Sequence, residues 1–163
     1  KDQFHFTIAR LAYHLIEDHN SLEEVVFIGL QPRGKAVSDR VIASIEAIVP
    51  HQKINYGLLD ITFYRDDVRD ELHKPAKTDI PFSIENRKVV LIDDVLHTGR
   101  TIRAALDALN DFGRPADVKL CVLVNRRFSR QLPIQPDYCG IAIDTVQSQK
   151  VKLNPDTNEV ELY

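Results

Sequence analysis

Phe4, Ile8, Leu11, Ala12, Leu15 and Ile16 recur at helical spacing with charged residues between them. The chain therefore opens on an amphipathic helix that ends near Asn20-Ser21. The run VVFIGL at 25–30 is short, wholly apolar and rich in β-branched residues, the pattern of a strand covered on both faces. Gly34 opens a second helix over 35–48, where Val37, Val41, Ile45 and Ile48 keep the period, and Pro50 closes it. INYGLLDITFY at 54–64 alternates as a strand does, and the charged stretch 65–79 that follows predicts a flexible loop or extended hairpin. KVVLID at 88–93 is another buried strand; Ile102, Ala105, Leu106, Leu109 and Phe112 form the next helix, stopped by Gly113 and Pro115. VKLCVLV at 118–124 and YCGIAI at 138–143 supply two more strands, and the NPDTN turn between alternating runs in the tail predicts a hairpin.

Strands alternating with helices are the βαβ pattern, so the expected architecture is α/β, a parallel twisted sheet flanked by helices. In such sheets ligands bind at the carboxyl ends of the strands, which directs attention to the loops after Leu30, Ile92 and Val124. No repeat or linker interrupts the pattern, and one domain is expected over 1–163. A hydrophobic fraction of 44% and a charged fraction of 28% exclude disorder and disulfide-dense scaffolds. With 21 basic and 24 acidic residues the net charge is -3, so no global field draws the chain to nucleic acid, and RNA binding would need a local patch. No apolar run approaches the roughly 20 residues of a membrane span, and no signal-like segment opens the chain, so no membrane partner is expected. Cys121 and Cys139 lack CxxC spacing and read as buried thiols in a reducing compartment, with the cytoplasm the expected location. With no Met in the chain, a few residues are expected to precede Lys1. The six histidines show no zinc-binding spacing.

The candidate chemistry concentrates in VVLIDDVLHTGRT at 89–101, where a buried strand runs into two acids, a Thr-Gly loop and a helix. Peptide N–H groups of Val95, Leu96, His97, Thr98, Gly99, Arg100 and Thr101, at the loop and the new helix's N-terminus, make a socket for a phosphate dianion, helped by the Thr98 and Thr101 hydroxyls. Asp93 and Asp94 at its mouth suit hydroxyls, a metal or a developing positive charge. The plain alternative is a solvated turn with an incidental acidic pair and a Thr helix cap.

LIDDVLHTGRT resembles the 5-phosphoribosyl-1-pyrophosphate (PRPP) motif of type I phosphoribosyltransferases, and DITFYRDD, ALDALNDFGRP and LPIQPDYCG extend the resemblance to the PyrR family, pyrimidine operon attenuators that also act as uracil phosphoribosyltransferases. The resemblance implies the type I phosphoribosyltransferase fold with a flexible loop at 65–79 and a C-terminal hairpin. It implies transfer of ribose 5-phosphate from PRPP to uracil, giving UMP and pyrophosphate. Asp93 and Asp94 would act at the ribose, in or near the coordination sphere of Mg²⁺, and Arg65 would close over the site. Arg33 and Gly34 of Gln31-Pro32-Arg33-Gly34 would receive pyrophosphate, and Lys35 would assist or face solvent.

Other readings stay open beside it. GLQPRGKA at 29–36 is nearly a Walker A loop, but Ala36 replaces the magnesium-holding hydroxyl and Pro32 removes a backbone donor, which argues against a P-loop switch. Base recognition is expected over 124–145, from Val124, Asn125, Arg126, Gly140 and Ile141. Asn125-Arg126-Arg127 stands where the family has an acid, Arg and Gly, and Ile141-Ala142-Ile143-Asp144 where it has a Lys-Asn-Ile-Pro-like stretch, so hypoxanthine or guanine remains an alternative base, as does a catalytically weak PRPP/UMP sensor. His97 stands where relatives commonly have Tyr. Arg126, Arg127 and Arg130 around Phe128, with Arg10 on the first helix, are the candidate contacts for an RNA stem-loop, against a solvated Arg-rich loop. The family also implies a homodimer or tetramer.

Overall fold

The computed structural model describes residues 2–65 and 77–163. In chain order the elements are α1 (Asp2–Glu17), β1 (Val25–Gln31), α2 (Gly34–Ile48), β2 (Asn55–Asp60), β3 (Lys88–Leu96), α3 (Arg100–Leu109), β4 (Asp117–Arg127), β5 (Tyr138–Asp144), β6 (Val151–Asn154) and β7 (Glu159–Leu162). The doubly apolar strands behave as their composition requires. Val25 and Phe27, Val90 and Ile92, and Cys121 and Leu123 pack on one face with Leu11 and Leu15 of α1 and Val41 and Ile45 of α2. Their neighbours Val26, Ile28, Val89, Leu91, Leu120 and Val122 pack on the other face with Ile102, Ala105 and Leu109 of α3. Period-2 side-chain alternation thus divides one sheet between two cores.

The five strands are parallel in the order β2-β1-β3-β4-β5. From β1 the chain crosses to one side to form β2 and returns to the other to form β3, so the strand order reverses between β1 and β3. Loops leaving that point diverge and open a crevice at the carboxyl edge. The 31–34 loop and the 93–101 run meet there. β6 and β7 form a separate antiparallel hairpin that packs Leu153, Val151 and Val160 on the α1–α2 core.

Several boundaries differ from the sequence expectation. The strand expected to stop at Asp93 continues to Leu96, because Asp93, Val95 and Leu96 still pair with Val122, Val124 and Asn125. The strand expected to stop at Val124 continues through Arg127, which pairs with Asp144. The β3 extension follows two consecutive acids and the β4 extension is wholly polar, so hydropathy hid them. The strand expected over 54–64 ends at Asp60, whose Oδ1 accepts both the Thr62 N–H (2.9 Å) and the Thr62 hydroxyl (2.6 Å) and turns the chain into a 3-10 turn at Thr62–Tyr64. The helix expected to reach Phe112 ends at Leu109, where Asp111 and Phe112 N–H groups bond three residues back, to Ala108 and Leu109. Of the expected flexible loop, Asp66, Asp67, Arg69 and Lys74 lie outside the described residues. Asp79 pairs with Leu58 through two 2.8 Å hydrogen bonds. Both cysteines are free thiols, and burial pushes Cys121 up to about 12. No helix among the described residues is long and apolar enough to cross a membrane.

At the opposite edge of the sheet, Asp18 after α1 accepts hydrogen bonds from the Tyr138 hydroxyl and, at 2.9 Å, from Lys119. These partners hold its carboxyl down from 3.8 to about 2. A depressed folded value stabilises the fold above about 3.8 and is lost as pH falls through about 2. Asp18→Asn is therefore expected to flatten the acid limb of a melting-temperature profile over that window; an unchanged limb would show that the cluster contributes nothing.

Candidate active site

Where β3 reaches the crevice it buries Asp93 and Asp94 side by side. Each carboxylate is turned onto the following peptide: Asp93 Oδ1 accepts the Asp94 N–H at 2.9 Å, and Asp94 Oδ1 accepts the Val95 N–H at 2.7 Å. Burial raises both carboxyls above the ordinary carboxylate range, Asp93 furthest because the Asp94 charge adds to it, while Arg33 pulls both down. Two carboxylates held against desolvation next to a guanidinium are a site prepared for positive charge. Gly34 makes this proximity possible. A Cβ there would lie 2.8 Å from the Ile92 carbonyl oxygen and 2.9 Å from Asp93 Oδ1, so only glycine lets α2 begin against β3.

Beyond Asp94 the chain turns through Thr98 and Gly99 into α3. Gly99 has φ +94 and occupies the position before the helix, the left-handed geometry that favours glycine. Thr98 Oγ1 accepts the Arg100 N–H at 3.3 Å, and the Thr98 carbonyl accepts Gln131 N–H (2.9 Å) and Leu132 N–H (3.1 Å), which fixes the turn from outside. Arg100 Nε donates to Gln131 Oε1 at 2.8 Å. The first N–H groups of α3 have no partner within the helix by its geometry, and with the helix dipole they favour an anion.

The 31–33 loop, Thr62, Arg65 and the whole run 93–101 line one cleft of about 730 Å³. The expected ribose, phosphate and pyrophosphate residues therefore converge, with Gly34 behind them as the spacer. His97 lines the cleft, its imidazole lowered below its ordinary value by burial first and by Arg126 and Arg130 next. Lys35 turns away to Asp39 (2.5 Å). The carboxylates described in the cleft lining are the two aspartates, and no group of three or more His, Cys, Asp or Glu that could hold a metal gathers among the described residues. A pair of carboxylates fits Mg²⁺, a hard cation that keeps waters and takes few protein ligands.

The expected base residues do not converge in the same way. Arg126 lines the cleft, but Val124 is buried in the α1–α2 core and Asn125 Oδ1 accepts Arg130 at 2.6 Å. Gly140 lies against Thr7 and the Leu123 carbonyl, and Ile141 lines a separate cavity between α1 and the hairpin. The physical reason is the register of β5, whose residues up to Asp144 pair with β4 and turn these positions toward α1. The four arginines expected as an RNA patch are also dispersed. Arg10 donates to the Gly140 carbonyl, Arg126 is buried, and Arg130 donates to the His97 carbonyl. Arg127 is exposed, paired with Asp144 at 2.7 Å and lying over the Phe128 ring.

Sequence reasoning missed the remaining wall, made by Gln147, Gln149, Lys150, Lys152 and Tyr163. The available signal was position: TVQSQK follows the carboxyl end of β5, the edge at which parallel sheets bind ligands.

Comparison with known proteins agrees with this geometry. The family model described as phosphoribosyl transferase domain matches residues 1–156. A bifunctional protein PyrR from Picosynechococcus sp. is 45% identical over 148 residues, 90% of this chain and 82% of that protein. Another, from Desulfosudis oleivorans, is 46% identical over 148 residues, 90% of this chain and 81% of that protein. Among solved structures, a hypoxanthine phosphoribosyltransferase from Staphylococcus aureus superposes with a TM-score of 0.68 at 20% identity, covering 88% of this chain and 74% of that one, and shares the fold. The chain belongs to the phosphoribosyl transferase family and, within it, to the bifunctional PyrR proteins.

Proposed function

We propose that the chain transfers the ribose 5-phosphate unit of PRPP to uracil, giving UMP and pyrophosphate with inversion at the anomeric carbon. Uracil N1 forms the new bond to C1 of the ribose, the bond from C1 to the pyrophosphate oxygen breaks, and the N1 proton passes to water. The observation that carries the reading is the convergence of a buried carboxylate pair, an arginine-bearing loop and a helix N-terminus on one cleft. Membership among the bifunctional PyrR proteins supports uracil as the acceptor.

In this reading the 97–101 turn binds the 5-phosphate through backbone N–H groups and the Thr98 and Thr101 hydroxyls, while Val95, whose N–H is taken by Asp94 Oδ1, and Leu96 carry the strand up to it. Arg33 and Arg65 neutralise the leaving pyrophosphate. Asp93 and Asp94 hold the ribose hydroxyls and stabilise the cationic charge that develops at C1. Mg²⁺, when bound, would offset the pyrophosphate charge, held by Asp93 and Asp94 directly or through water. No strong base is required of the protein, because positioning the two reactants supplies much of the rate. Burial and the neighbouring Arg126 and Arg130 lower the His97 imidazole below its ordinary value, which disfavours its charged form at the phosphate socket.

A regulatory RNA-binding function goes with the PyrR family, and UMP in the same cleft would be its signal. The exposed Phe128 ring beside Arg127 favours this second reading, since an aromatic with a guanidinium suits an unpaired base and its phosphate.

Calorimetric titration tests the site. PRPP with Mg²⁺ and UMP are each expected to bind at one site per chain, and Thr98→Ala is expected to weaken both about 10–100-fold, the worth of one charge-assisted hydrogen bond. Unaltered PRPP affinity in Thr98→Ala would remove the phosphate assignment.

A further inference from the structure

Arg126 is only 4% exposed, near the end of β4, yet its guanidinium bonds run to one remote turn. Its Nε donates to Thr145 Oγ1 at 2.9 Å, and one terminal nitrogen donates to the carbonyls of Gln149 (2.9 Å) and Val146 (3.4 Å). The segment 145–150 belongs to no strand or helix, so no β-ladder holds these carbonyls. The turn is closed from its own side as well: Gln149 Oε1 accepts the Val146 N–H at 3.0 Å, and the Val146 carbonyl accepts the Gln149 N–H at 3.1 Å. A buried guanidinium needs partners for its donors, and here the partners of Nε and one terminal nitrogen lie in a loop and fix it.

What the turn carries makes the anchor matter. Gln147 and Gln149 line the cleft shared with the 93–101 run, and Arg126 lies at the cleft beneath them. Their side chains are neutral amides: Gln147 presents a donor and an acceptor, and Gln149, whose Oε1 takes the Val146 N–H, presents its NH₂ donors, which together suit a pyrimidine edge of alternating C=O and N–H groups. They are poorly suited to pyrophosphate, which the Arg33 side of the cleft serves better.

We propose that Arg126 is a positioning residue for the acceptor base: by pinning the 145–149 turn, its guanidinium sets the wall of the cleft that carries the Gln147 and Gln149 amides, and the base is held against that wall. This deepens the transferase reading and rests on it. Because the Arg126 guanidinium bonds to the 145–149 turn, while the Thr98 turn of the phosphate socket is held by the Gln131 and Leu132 N–H groups, loosening the 145–149 turn is expected to affect the base and spare PRPP.

The test compares Arg126→Met, Arg126→Lys and Thr145→Val in the full chain, by steady-state kinetics with uracil and PRPP and by UMP and PRPP titration. Arg126→Met is expected to raise the KM for uracil about tenfold or more, with the KM for PRPP held within about twofold. Arg126→Lys restores part of the loss, and Thr145→Val, which removes one acceptor at nearly constant shape, gives a smaller rise of about threefold in the same constant. If Arg126→Met does not fold, Arg126→Lys and Thr145→Val must still show the split. Equal rises for uracil and PRPP, or no change for either, overturn the assignment. A parent chain that neither turns over nor binds UMP overturns the transferase reading instead. A parent that binds UMP and PRPP, with variants that weaken both alike, overturns the role of Arg126 alone.

Discussion

Asp94→Asn is expected to lower turnover roughly 10²-fold or more while leaving the melting temperature at neutral pH unchanged or higher. The two effects have one cause. Burial raises the Asp94 carboxyl above its ordinary 3.8, so its charged form is disfavoured in the folded chain. Between 3.8 and the raised folded value the folded chain keeps a proton that the unfolded chain has shed. Stability therefore falls as pH rises through that interval, and the cost is fully present above it. The amide removes the charge and keeps an oxygen to accept the Val95 N–H, which the carboxylate accepts at 2.7 Å. Turnover suffers because the same charge faces the cation developing at C1. Activity and thermal melting measured on one preparation check both halves; unchanged turnover would remove Asp94 from the chemistry, and loss of turnover in step with unfolding would make its role structural. The parent enzyme should likewise lose activity as pH falls through the raised values of the aspartate pair.

Gly34→Ala is expected to reduce stability and PRPP binding together. The new Cβ would stand 2.8 Å from the Ile92 carbonyl oxygen and 3.0 Å from the Asp93 Cα, and both belong to the β3 backbone, so no side-chain rotation relieves them. Either α2 retreats or β3 bends. Overpacking of this kind costs about 1–3 kcal/mol, which for a domain of this length lowers the melting temperature by roughly 2–12 °C. Arg33, the residue before α2, moves with the helix away from Asp93, so PRPP affinity is expected to fall by more than about tenfold. Thermal melting with PRPP titration decides the matter. A variant with parental melting and affinity would show that the helix and strand tolerate separation and that their close contact is unimportant to the site.

The parts of this molecule that were legible in the sequence are those in which local chemistry and burial coincide. VVFIGL, VVLI and LCVLV are buried on both faces and read as strands without tertiary information, and the parallel sheet follows from the helices between them. The 93–101 run was legible because two acids and a Thr-Gly turn are out of place at the end of such a strand unless a ligand uses them. The continuations of β3 and β4 were hidden, since the acids Asp93 and Asp94 interrupt the apolar run of β3, Asn125 and Arg126 are polar, and the ladder pairing of Val95, Leu96, Asn125 and Arg126 depends on neighbouring strands. Gln147 and Gln149 look like residues of any solvated turn. What gives them a place is Arg126, distant in sequence and expected to face ligand or RNA, and hydropathy carries no trace of that bond. Arg130 was hidden for the same reason, its guanidinium joining the His97 carbonyl to Asn125.

Release of pyrophosphate from PRPP with Mg²⁺, measured across uracil, cytosine, hypoxanthine, guanine and orotate beside a control without base, tests the proposed reaction most directly. Release that requires uracil, and yields UMP in equal amount, is the expected result. Release driven by hypoxanthine or guanine would keep the chemistry and contradict the pyrimidine acceptor, and no release with any base, from a chain that binds PRPP, would contradict the transferase itself.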